Sequence, residues 1–276
     1  MSEKVLLVGV GNMGRKYLNK FLQLGITPLL LDTNENLKKE FSRYPFYTSP
    51  EQIEEIPNKV FIAINPQYHP EVADYFLSKG CYVFLEKPPA LAATEFSTLL
   101  EKYGKSSLGV SEIERYSAAL KGLKIEKPTK VIIKRLNRGR GYINPIWDLA
   151  WHDFYLLLYL FGNFSITKVE KKGNYHYSIE GILNNYKTPF VLEVAWNYPR
   201  EVQRNWLIET SKVSVFLDFL NERRIENSII TTQREEKDKL LEMVEDVLNG
   251  TYDPNSSLRA LKILQILEKD IKPLIL

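Results

Sequence analysis

A glycine-rich segment near the N-terminus has residue types and spacing that suit a phosphate group. Gly9, Gly11 and Gly14 fit the pattern Gly-x-Gly-x-x-Gly, with Asn12 and Met13 between the last two glycines. In this pattern the first glycine permits a tight turn, the second lets the backbone approach a pyrophosphate, and the third allows close packing of the following helix. Unpaired N–H groups at the start of that helix attract an anion. The segment predicts a dinucleotide site; the alternative is a glycine turn with no ligand.

A carboxylate follows this segment at the spacing that such sites use. Asp32 stands at the end of the second predicted strand, where it can accept hydrogen bonds from the hydroxyls of an adenosine ribose. A 2′-phosphate would meet the like charge of Asp32, and neither Thr33 nor Asn34 adds a cation. The pattern therefore favours NAD as the cofactor, with NADP still open. In the alternative interpretation, Asp32 only caps the next helix.

Two further polar residues stand one helical turn apart. Asn144 and Pro145 suit the N-cap and the first position of a helix, and Gly162 suits its C-terminal end. Asp148 and His152 lie four residues apart within that helix, so they share one face. They are candidates for handling a proton or a substrate hydroxyl. The alternative is an ordinary pair of polar residues on a helix surface.

The elements that must position these residues follow from the hydrophobic pattern. From residue 4 to 113, short apolar runs alternate with amphipathic segments of about ten residues, which is typical of βαβ units and a parallel sheet. Strands are predicted at 4–10, 27–31, 59–64, 81–85 and 108–113, and helices at 15–24, 35–43, 69–79 and 93–103. The predicted fold class is α/β, beginning with a Rossmann doubly wound parallel sheet over residues 1–113.

From residue 114 the pattern changes to longer segments that alternate apolar and polar residues. Such alternation indicates an antiparallel sheet with one solvated face. Strands are predicted at 131–135, 166–171, 175–183, 190–197, 205–209 and 213–219, and helices at 145–161, 235–248 and 257–269. We therefore expect a second domain over residues 114–276, of α+β type with a large, mostly antiparallel sheet.

Composition narrows the classes of partner. The 37 basic and 34 acidic residues are interspersed and give a formal net charge of +3, so nucleic acid is not expected. The basic stretch 130–140 could hold a phosphate, but a solvated strand and loop is preferred. The single cysteine, Cys81, suits the cytoplasm, and the sequence shows neither a charged leader nor an apolar run of membrane length. No cluster of His, Cys and carboxylate residues has the spacing of a metal site, so we expect no metal. We also expect no membrane partner and a small molecule as the substrate.

Three separated motifs resemble the Gfo/Idh/MocA family, named for glucose-fructose oxidoreductase and inositol dehydrogenase. Segment 63–69, Ala-Ile-Asn-Pro-Gln-Tyr-His, looks like the family's Pro-x-x-His segment, and segment 85–89, Leu-Glu-Lys-Pro-Pro, looks like its Glu-Lys-Pro signature. Segment 148–152, Asp-Leu-Ala-Trp-His, matches its Asp-x-x-x-His motif. The sequence departs from the family pattern in two places: Tyr142-Ile143-Asn144 stand where glycines are frequent, and Tyr155 stands where an aspartate is frequent.

The resemblance implies catalytic roles for three residues. Lys87 takes or returns the hydroxyl proton while hydride is transferred. Asp148 orients a substrate hydroxyl or His152, and His152 assists proton transfer or holds the carbonyl oxygen. In the alternative, Lys87 is a surface lysine before a proline-rich turn.

The resemblance also implies two sets of binding residues. The expected cofactor contacts are Gly9, Gly11, Asn12, Met13, Gly14, Asp32, Asn65, Pro66, His69, Glu86 and Lys87. The expected substrate contacts are Lys87, Arg115, Tyr116, Asp148, His152 and Tyr155. His69 could instead only begin a helix beneath the cofactor. Arg115 could bind a carboxylate or phosphate, or form a salt bridge that links the domains.

The activity that the resemblance implies is that of an NAD(P)-dependent dehydrogenase or reductase acting on CH–OH groups of a sugar, polyol or nucleotide-linked sugar. Two alternatives stay open: a non-catalytic dinucleotide-binding regulator or scaffold, and a reductase of a non-sugar substrate such as a linear tetrapyrrole or an imine. Lys87, Asp148 and His152 together argue against the regulator, because a sensor has no chemical need for all three. By analogy we expect a homodimer or homotetramer.

Overall fold

The computed structural model of the chain describes residues 4–141, 143–233 and 238–275. The chain divides into two compact units, which are described separately. The first unit comprises Met1–Ser111 and Leu240–Leu261, and the second comprises Glu112–Lys239 and Lys262–Leu276. Within the described residues, no helix has both the length and the apolar character needed to cross a membrane.

The first unit is built on a six-stranded sheet in the order β3-β2-β1-β4-β5-β6, with every strand pair parallel. Its strands are β1 (Val5–Val8), β2 (Leu29–Leu31), β3 (Phe46–Tyr47), β4 (Lys59–Ile62), β5 (Tyr82–Leu85) and β6 (Leu108–Val110). Its first four helices are α1 (Asn12–Gln23), α2 (Leu37–Glu40), α3 (His69–Ser78) and α4 (Ala93–Tyr103). The predicted doubly wound parallel sheet is confirmed.

Apolar side chains lie on both faces of this parallel sheet, and both faces are covered. All four residues of β1 are buried, as are the last three residues of β4 and of β5. Tyr17 and Phe21 of α1 pack on Phe61 of β4, with ring centroids 5.5 and 4.9 Å apart. Strands without a solvated face have continuous apolar sequences, so these strands could be predicted from the sequence. Helix α2 is shorter than the predicted segment 35–43.

Residues from the C-terminal part of the chain complete the first unit. Tyr252 donates its hydroxyl hydrogen to the Val110 carbonyl at 2.7 Å, and the Val110 N–H donates to the Ser256 hydroxyl at 3.2 Å. Lys59 Nζ reaches the Leu248 carbonyl at 2.5 Å. The division therefore differs from the predicted boundary, which assigned everything beyond residue 113 to the second domain. A change in hydrophobic rhythm marks where one sheet ends, but it does not reveal onto which sheet a later helix packs.

The second unit is built on an eight-stranded sheet in the order β14-β13-β12-β11-β7-β10-β9-β8. Its strands are β7 (Pro128–Leu136), β8 (Phe164–Gly173), β9 (His176–Leu183), β10 (Thr188–Ala195), β11 (Gln203–Thr210), β12 (Ser214–Asp218), β13 (Arg223–Glu226) and β14 (Ile229–Thr232). All neighbouring strands are antiparallel except β7 and β10, which are parallel. The predicted large, mostly antiparallel sheet is confirmed.

Five further helices lie in the sequence beyond β7. They are α5 (Pro145–Asp148), α6 (Ala150–Phe161), α7 (Lys239–Asn249), α8 (Ser256–Ile266) and α9 (Lys272–Ile275). The predicted helix 145–161 is interrupted at Leu149, where the His152 N–H bonds the Leu149 carbonyl three residues earlier. The predicted start of helix 235–248 and the departure at Tyr142 lie outside the described residues.

Candidate functional site

In the glycine loop of the first unit, two of the glycines leave no room for a side chain. Gly9 has a φ of +87°, and a Cβ there would lie 2.6 Å from the Ala63 carbonyl oxygen. A Cβ on Gly14 would overlap the carbonyl oxygen of Gly9. A Cβ on Gly11 would meet no atom within 4 Å, so the space beside it is open. The loop therefore has a tight turn at Gly9, close packing of the following helix at Gly14, and open space beside the backbone of Gly11.

Helix α1 begins directly at this open position. Gly11 is the N-cap and offers no side chain to satisfy the first N–H groups, and Asn12 and Met13 are the first helical residues. Gly11 and Asn12 are exposed. Such an N-terminus attracts a pyrophosphate through its N–H groups and the helix dipole. The residues present therefore fit the phosphate part of a dinucleotide.

Asp32 is tied to the glycine loop. Its Oδ2 accepts a hydrogen bond from the Val10 N–H at 2.9 Å, and its Oδ1 accepts one from the Asn34 N–H at 3.0 Å. Each carboxylate oxygen has a second acceptor site, so the group can still receive ribose hydroxyls. The N-cap of α2 is Asn36, not Asp32. The alternative in which Asp32 only caps the next helix is therefore wrong.

A cavity of about 860 Å³ lies beside Asp32 at the carboxyl edge of the sheet. Asp32, Asn65 and Tyr68 line it, together with the carboxylates of Glu51 and Glu71. Neither lysine nor arginine is among its described lining residues. A 2′-phosphate placed here would meet negative charge without compensation, which agrees with the sequence-based preference for NAD.

The loop after β4 brings Asn65, Pro66 and His69 close to this edge. Asn65 is exposed, and its side chain accepts a hydrogen bond from the Gln67 N–H at 3.3 Å. His69 is fully buried: Nδ1 lies 3.0 Å from the Pro88 carbonyl and Nε2 lies 3.1 Å from the Ile64 carbonyl. Burial lowers the pKa of His69 to about 4. Both ring nitrogens face protein carbonyls, so His69 joins two loops through them, and its contact with the cofactor stays a prediction.

Glu86 and Lys87 follow the end of β5 at the same edge of the sheet, before a cis Lys87-Pro88 peptide. The Tyr17 hydroxyl donates to one Glu86 carboxylate oxygen, and the Lys87 N–H donates to the other at 3.2 Å. Burial raises the pKa of Glu86. Glu86 therefore anchors the backbone at Lys87, whose side chain is partly exposed.

In the second unit, the predicted helix start and end are confirmed. The Asn144 side chain accepts a hydrogen bond from the Ile146 N–H at 2.9 Å, and Gly162 ends the helix with a φ of +79°. Asn144 also donates to the Tyr177 hydroxyl at 3.1 Å, and Trp196 Nε1 donates to the Ile143 carbonyl at 3.2 Å. Tyr177 and Trp196 thus hold Asn144 and Ile143, the described residues of the segment that departs from the family pattern.

Asp148 and His152 lie where α5 ends and α6 begins. Asp148 is 8% exposed, and His152 is partly exposed. The His152 Nδ1 atom lies 3.1 Å from the hydroxyl oxygen of Tyr155, which is fully buried. The structure therefore connects His152 to Tyr155 through a specified ring nitrogen.

Arg115 and Tyr116 lie in a short 3-10 turn, Ile113–Tyr116, of the second unit. Arg115 donates to the Glu112 carboxylate at 2.9 Å, and its guanidinium lies 4.2 Å from the centroid of the Tyr159 ring on α6. Both contacts are internal to the second unit. A domain-linking salt bridge and a role for Arg115 toward an anionic substrate both stay predictions.

A buried charged cluster was not predicted from the sequence. Arg135 donates to both carboxylate oxygens of Asp153, at 2.7 and 3.1 Å, and to Glu114 at 3.2 Å. Trp206 Nε1 donates to Asp153 at 2.8 Å, and Lys239 donates to Glu114 at 2.6 Å. The burial of Arg135 therefore contradicts the interpretation of residues 130–140 as a solvated strand and loop. The signal was available, because Arg135 continues the inward register of Val131 and Ile133. Within the described part of the chain, no group of three His, Cys, Asp or Glu residues could hold a metal.

Comparisons with known proteins agree with this architecture. UDP-N-acetylglucosamine 3-dehydrogenase GnnA from Acidithiobacillus ferrooxidans superposes with a TM-score of 0.85 at 21% identity, covering 99% of each chain. An oxidoreductase from Thermotoga maritima gives a TM-score of 0.82 at 15% identity, covering 99% of this chain and 97% of the other. The WlbA dehydrogenase from Bordetella pertussis, in complex with NADH and UDP-GlcNAcA, gives 0.73 at 16% identity with the same coverage. No curated protein matches the sequence.

The family comparison gives a match in the first unit. Residues 3–112 match the GFO_IDH_MocA model, described as an oxidoreductase family with an NAD-binding Rossmann fold. The matched range contains the glycine loop, Asp32 and the Glu-Lys-Pro segment. Residues 3–112, less than half of the chain, therefore match the model of the Gfo/Idh/MocA family of NAD-binding oxidoreductases.

Proposed function

We propose that the protein is an NAD-dependent dehydrogenase or reductase that transfers hydride between nicotinamide and a CH–OH or carbonyl carbon of a sugar derivative. The observation that carries the proposal is the hydrogen bond between Asp32 and the glycine loop, at the same sheet edge as Lys87. Ligands of open α/β sheets bind at this carboxyl edge. Bound NAD would supply the hydride acceptor.

The substrate class we propose is a nucleotide-linked amino sugar. Two proteins with the same fold are a UDP-N-acetylglucosamine 3-dehydrogenase and a dehydrogenase crystallised with UDP-GlcNAcA. Arg115 supports an anionic substrate, because a guanidinium can bind phosphate or carboxylate through two hydrogen bonds.

Each candidate catalytic residue has a role within this proposal. Lys87 takes the hydroxyl proton in oxidation and returns it in reduction. Asp148 orients a substrate hydroxyl, and His152 contacts the substrate oxygen. Tyr116 belongs to the second unit's substrate-binding residues, whereas Tyr155 is fully buried and contacts His152 instead of the expected substrate.

Activity is tested by mixing the purified protein with NAD⁺ and following nicotinamide absorbance. The panel contains UDP-N-acetylglucosamine, UDP-N-acetylglucosaminuronate, free N-acetylglucosamine and a polyol. NADH formation with the UDP-linked sugars, and less with the free sugar, supports both the activity and the substrate class. NADH binding without turnover on the panel or on the matching keto-sugars contradicts the proposal and favours a regulator.

Replacing Asp32 with alanine should weaken NADH binding more than NADPH binding. The substitution removes a charged acceptor for the ribose hydroxyls, and such hydrogen bonds correspond to a rise in Kd of roughly 10- to 100-fold. It also removes the like charge that opposes a 2′-phosphate. Nicotinamide fluorescence titration measures both constants. Glu54→Ala, an exposed carboxylate outside the cavity, serves as the control; an unchanged NADH Kd in Asp32→Ala would contradict the cofactor assignment.

We propose that a second copy of the chain covers the open face of the eight-stranded sheet. Cross-strand neighbours on that face form an apolar row, and every member is partly exposed. The row consists of Val191, Ile132, Leu207, Phe216 and Ile225. A continuous apolar surface of this kind is typical of a subunit interface.

Leu207→Lys should therefore shift the protein to a smaller oligomer, measured by size-exclusion chromatography with light scattering. Thr129→Lys, on the same unit but outside the row, should leave the mass unchanged. A wild-type protein that is monomeric at micromolar concentration would contradict the interface. The lone buried cysteine, Cys81, supports a cytoplasmic location for this assembly.

A further inference from the structure

The hydroxyl of Tyr155 has two partners among the residues that the structure describes. The Glu114 N–H donates to it at 2.8 Å, and the His152 Nδ1 atom lies 3.1 Å away. The Tyr155 side chain is fully buried in α6. A peptide N–H can only donate, so it occupies an acceptor site of the hydroxyl oxygen and leaves the hydroxyl proton to be placed.

The proton of that hydroxyl has one acceptor within these contacts. Burial, followed by the charge of Glu114, raises the pKa of Tyr155 well above its ordinary value, so the residue keeps its proton. If His152 Nδ1 also carried a proton, the buried Tyr155 O–H would point at no acceptor, which is unfavourable. The hydroxyl therefore donates to Nδ1. A neutral imidazole that accepts at Nδ1 carries its single proton on Nε2.

We propose that Tyr155 is a positioning residue that holds His152 as the neutral Nε2–H tautomer, so that His152 donates a hydrogen bond to the substrate oxygen and transfers no proton. The inference deepens the proposed function and rests on it for the substrate contact. In oxidation, bound NAD would accept hydride from the substrate carbon, and the Lys87 amine would take the hydroxyl proton. In reduction the Lys87 ammonium returns that proton, while the proton on His152 Nε2 stays in place.

In this arrangement, His152 cannot release its Nε2 proton without forming an unfavourable negatively charged group. Loss of the Nε2 proton would leave an imidazolate unless Tyr155 released its own proton to Nδ1. The product would then be a buried tyrosinate close to the carboxylate of Glu114, two like charges in a poorly solvated region. A carboxylate at position 155 would do the opposite, because it accepts a hydrogen bond from a protonated Nδ1 and its charge favours imidazolium.

The cluster behind Tyr155 fixes the direction of its hydroxyl. The carboxylate of Glu114 is held by Arg135 and by Lys239, so the backbone N–H of Glu114 is anchored. Arg135 is held in turn by Asp153 on α6, the helix that carries His152 and Tyr155. Both partners of the Tyr155 hydroxyl are thus fixed within one unit.

Nitrogen NMR of histidine-labelled protein tests the tautomer without requiring activity. The chain has three histidines, and His152→Gln assigns the signals of His152 by their loss. At neutral pH we expect a protonated Nε2 and an unprotonated Nδ1 in the wild type. Tyr155→Phe should produce a mixture of tautomers, while Tyr186→Phe should leave the pattern unchanged. A wild-type His152 with a protonated Nδ1, or with both nitrogens protonated, would overturn the inference.

Kinetics with the substrate found in the panel test the donor role. His152→Ala should lose about 10²-fold in kcat, since it removes one hydrogen-bond donor to the reacting oxygen. The glutamine amide can donate from near the position of Nε2 but cannot transfer a proton, so His152→Gln should lose clearly less activity than His152→Ala. Equal losses in the two variants would refute the donor role. The expected tautomer without turnover on any substrate would instead count against the proposed function.

Discussion

Replacing Lys87 with alanine should lower kcat by about 10²- to 10⁴-fold, the usual contribution of a positioned proton-transfer group. The Kd for NADH should change little, because the glycine loop and Asp32 supply the contacts to the phosphates and ribose. Stopped-flow or steady-state assays with the sugar nucleotide from the panel measure the first quantity. Fluorescence titration measures the second.

Two matched variants make the Lys87 result specific. Lys87→Met keeps most of the side-chain volume and should lose activity as severely as alanine does. Lys105→Ala removes an exposed lysine of the same unit that contacts Asn255, and it should retain wild-type turnover. Wild-type turnover in Lys87→Ala would assign proton transfer to another group.

Replacing Asp153 with alanine should reduce the free energy of unfolding by roughly 3–5 kcal/mol, the cost of breaking a buried ion pair from one side. The substitution leaves the Arg135 guanidinium in the interior without its two-point partner, and it leaves Trp206 Nε1 without an acceptor. Urea unfolding followed by tryptophan fluorescence measures the change.

An exposed ion pair on the same unit gives the comparison. Glu170 pairs with Lys168 at 3.0 Å, and both side chains are about half exposed. Solvent and salt screen such pairs, so Glu170→Ala should leave the unfolding midpoint within error. A midpoint for Asp153→Ala as close to wild type would mean that water or a neighbouring side chain replaces the lost carboxylate. Replacing Arg135 and Asp153 together by Met and Leu should recover much of the loss, because no unpaired charge then stays buried.

The parallel sheet and its glycine loop could be predicted because their signals are local. Buried strands are continuous apolar runs, and backbone contacts leave no room for a side chain at Gly9 or Gly14, whereas Gly11 borders open space. The helix at 145–161 was similarly marked by its Asn144-Pro145 start and its Gly162 end. The interruption at Leu149 was not, because the residues around it are all compatible with a continuous helix.

The hairpin β13–β14 was missed because its residues are mixed in character. Arg223, Arg224 and Glu226 interrupt the apolar alternation, and the turn at Asn227 and Ser228 has positive φ values of 46° and 71°. Asparagine and serine tolerate or favour turns. This short segment therefore gave a turn signal without two clear strands beside it.

The candidate site was predictable by residue type and less so by contact. The sequence singled out His69, Glu86 and Arg115 as candidates, but their protein partners are set by tertiary structure. Each partner lies on a different segment or within a turn whose geometry the sequence leaves open: Pro88 for His69, Tyr17 for Glu86, and Tyr159 for Arg115. The Arg135–Asp153 pair joins residues 18 positions apart, and neither residue identifies the other before the sheet and helix are assembled.

Residues 240–261 belong to the first unit, so this unit can be completed only late in the synthesis of the chain. Val110 ends the last strand of the nucleotide-binding sheet, yet the hydroxyl that bonds its carbonyl belongs to Tyr252, 142 positions later. The ribosome must therefore release almost the whole chain before this sheet acquires its final partners. Domains that are contiguous can fold as they emerge, N-terminal one first. Here the unit that begins first is completed only after every strand of the second unit has been made, so a premature stop before residue 240 would spoil the nucleotide-binding unit as well as the end of the chain.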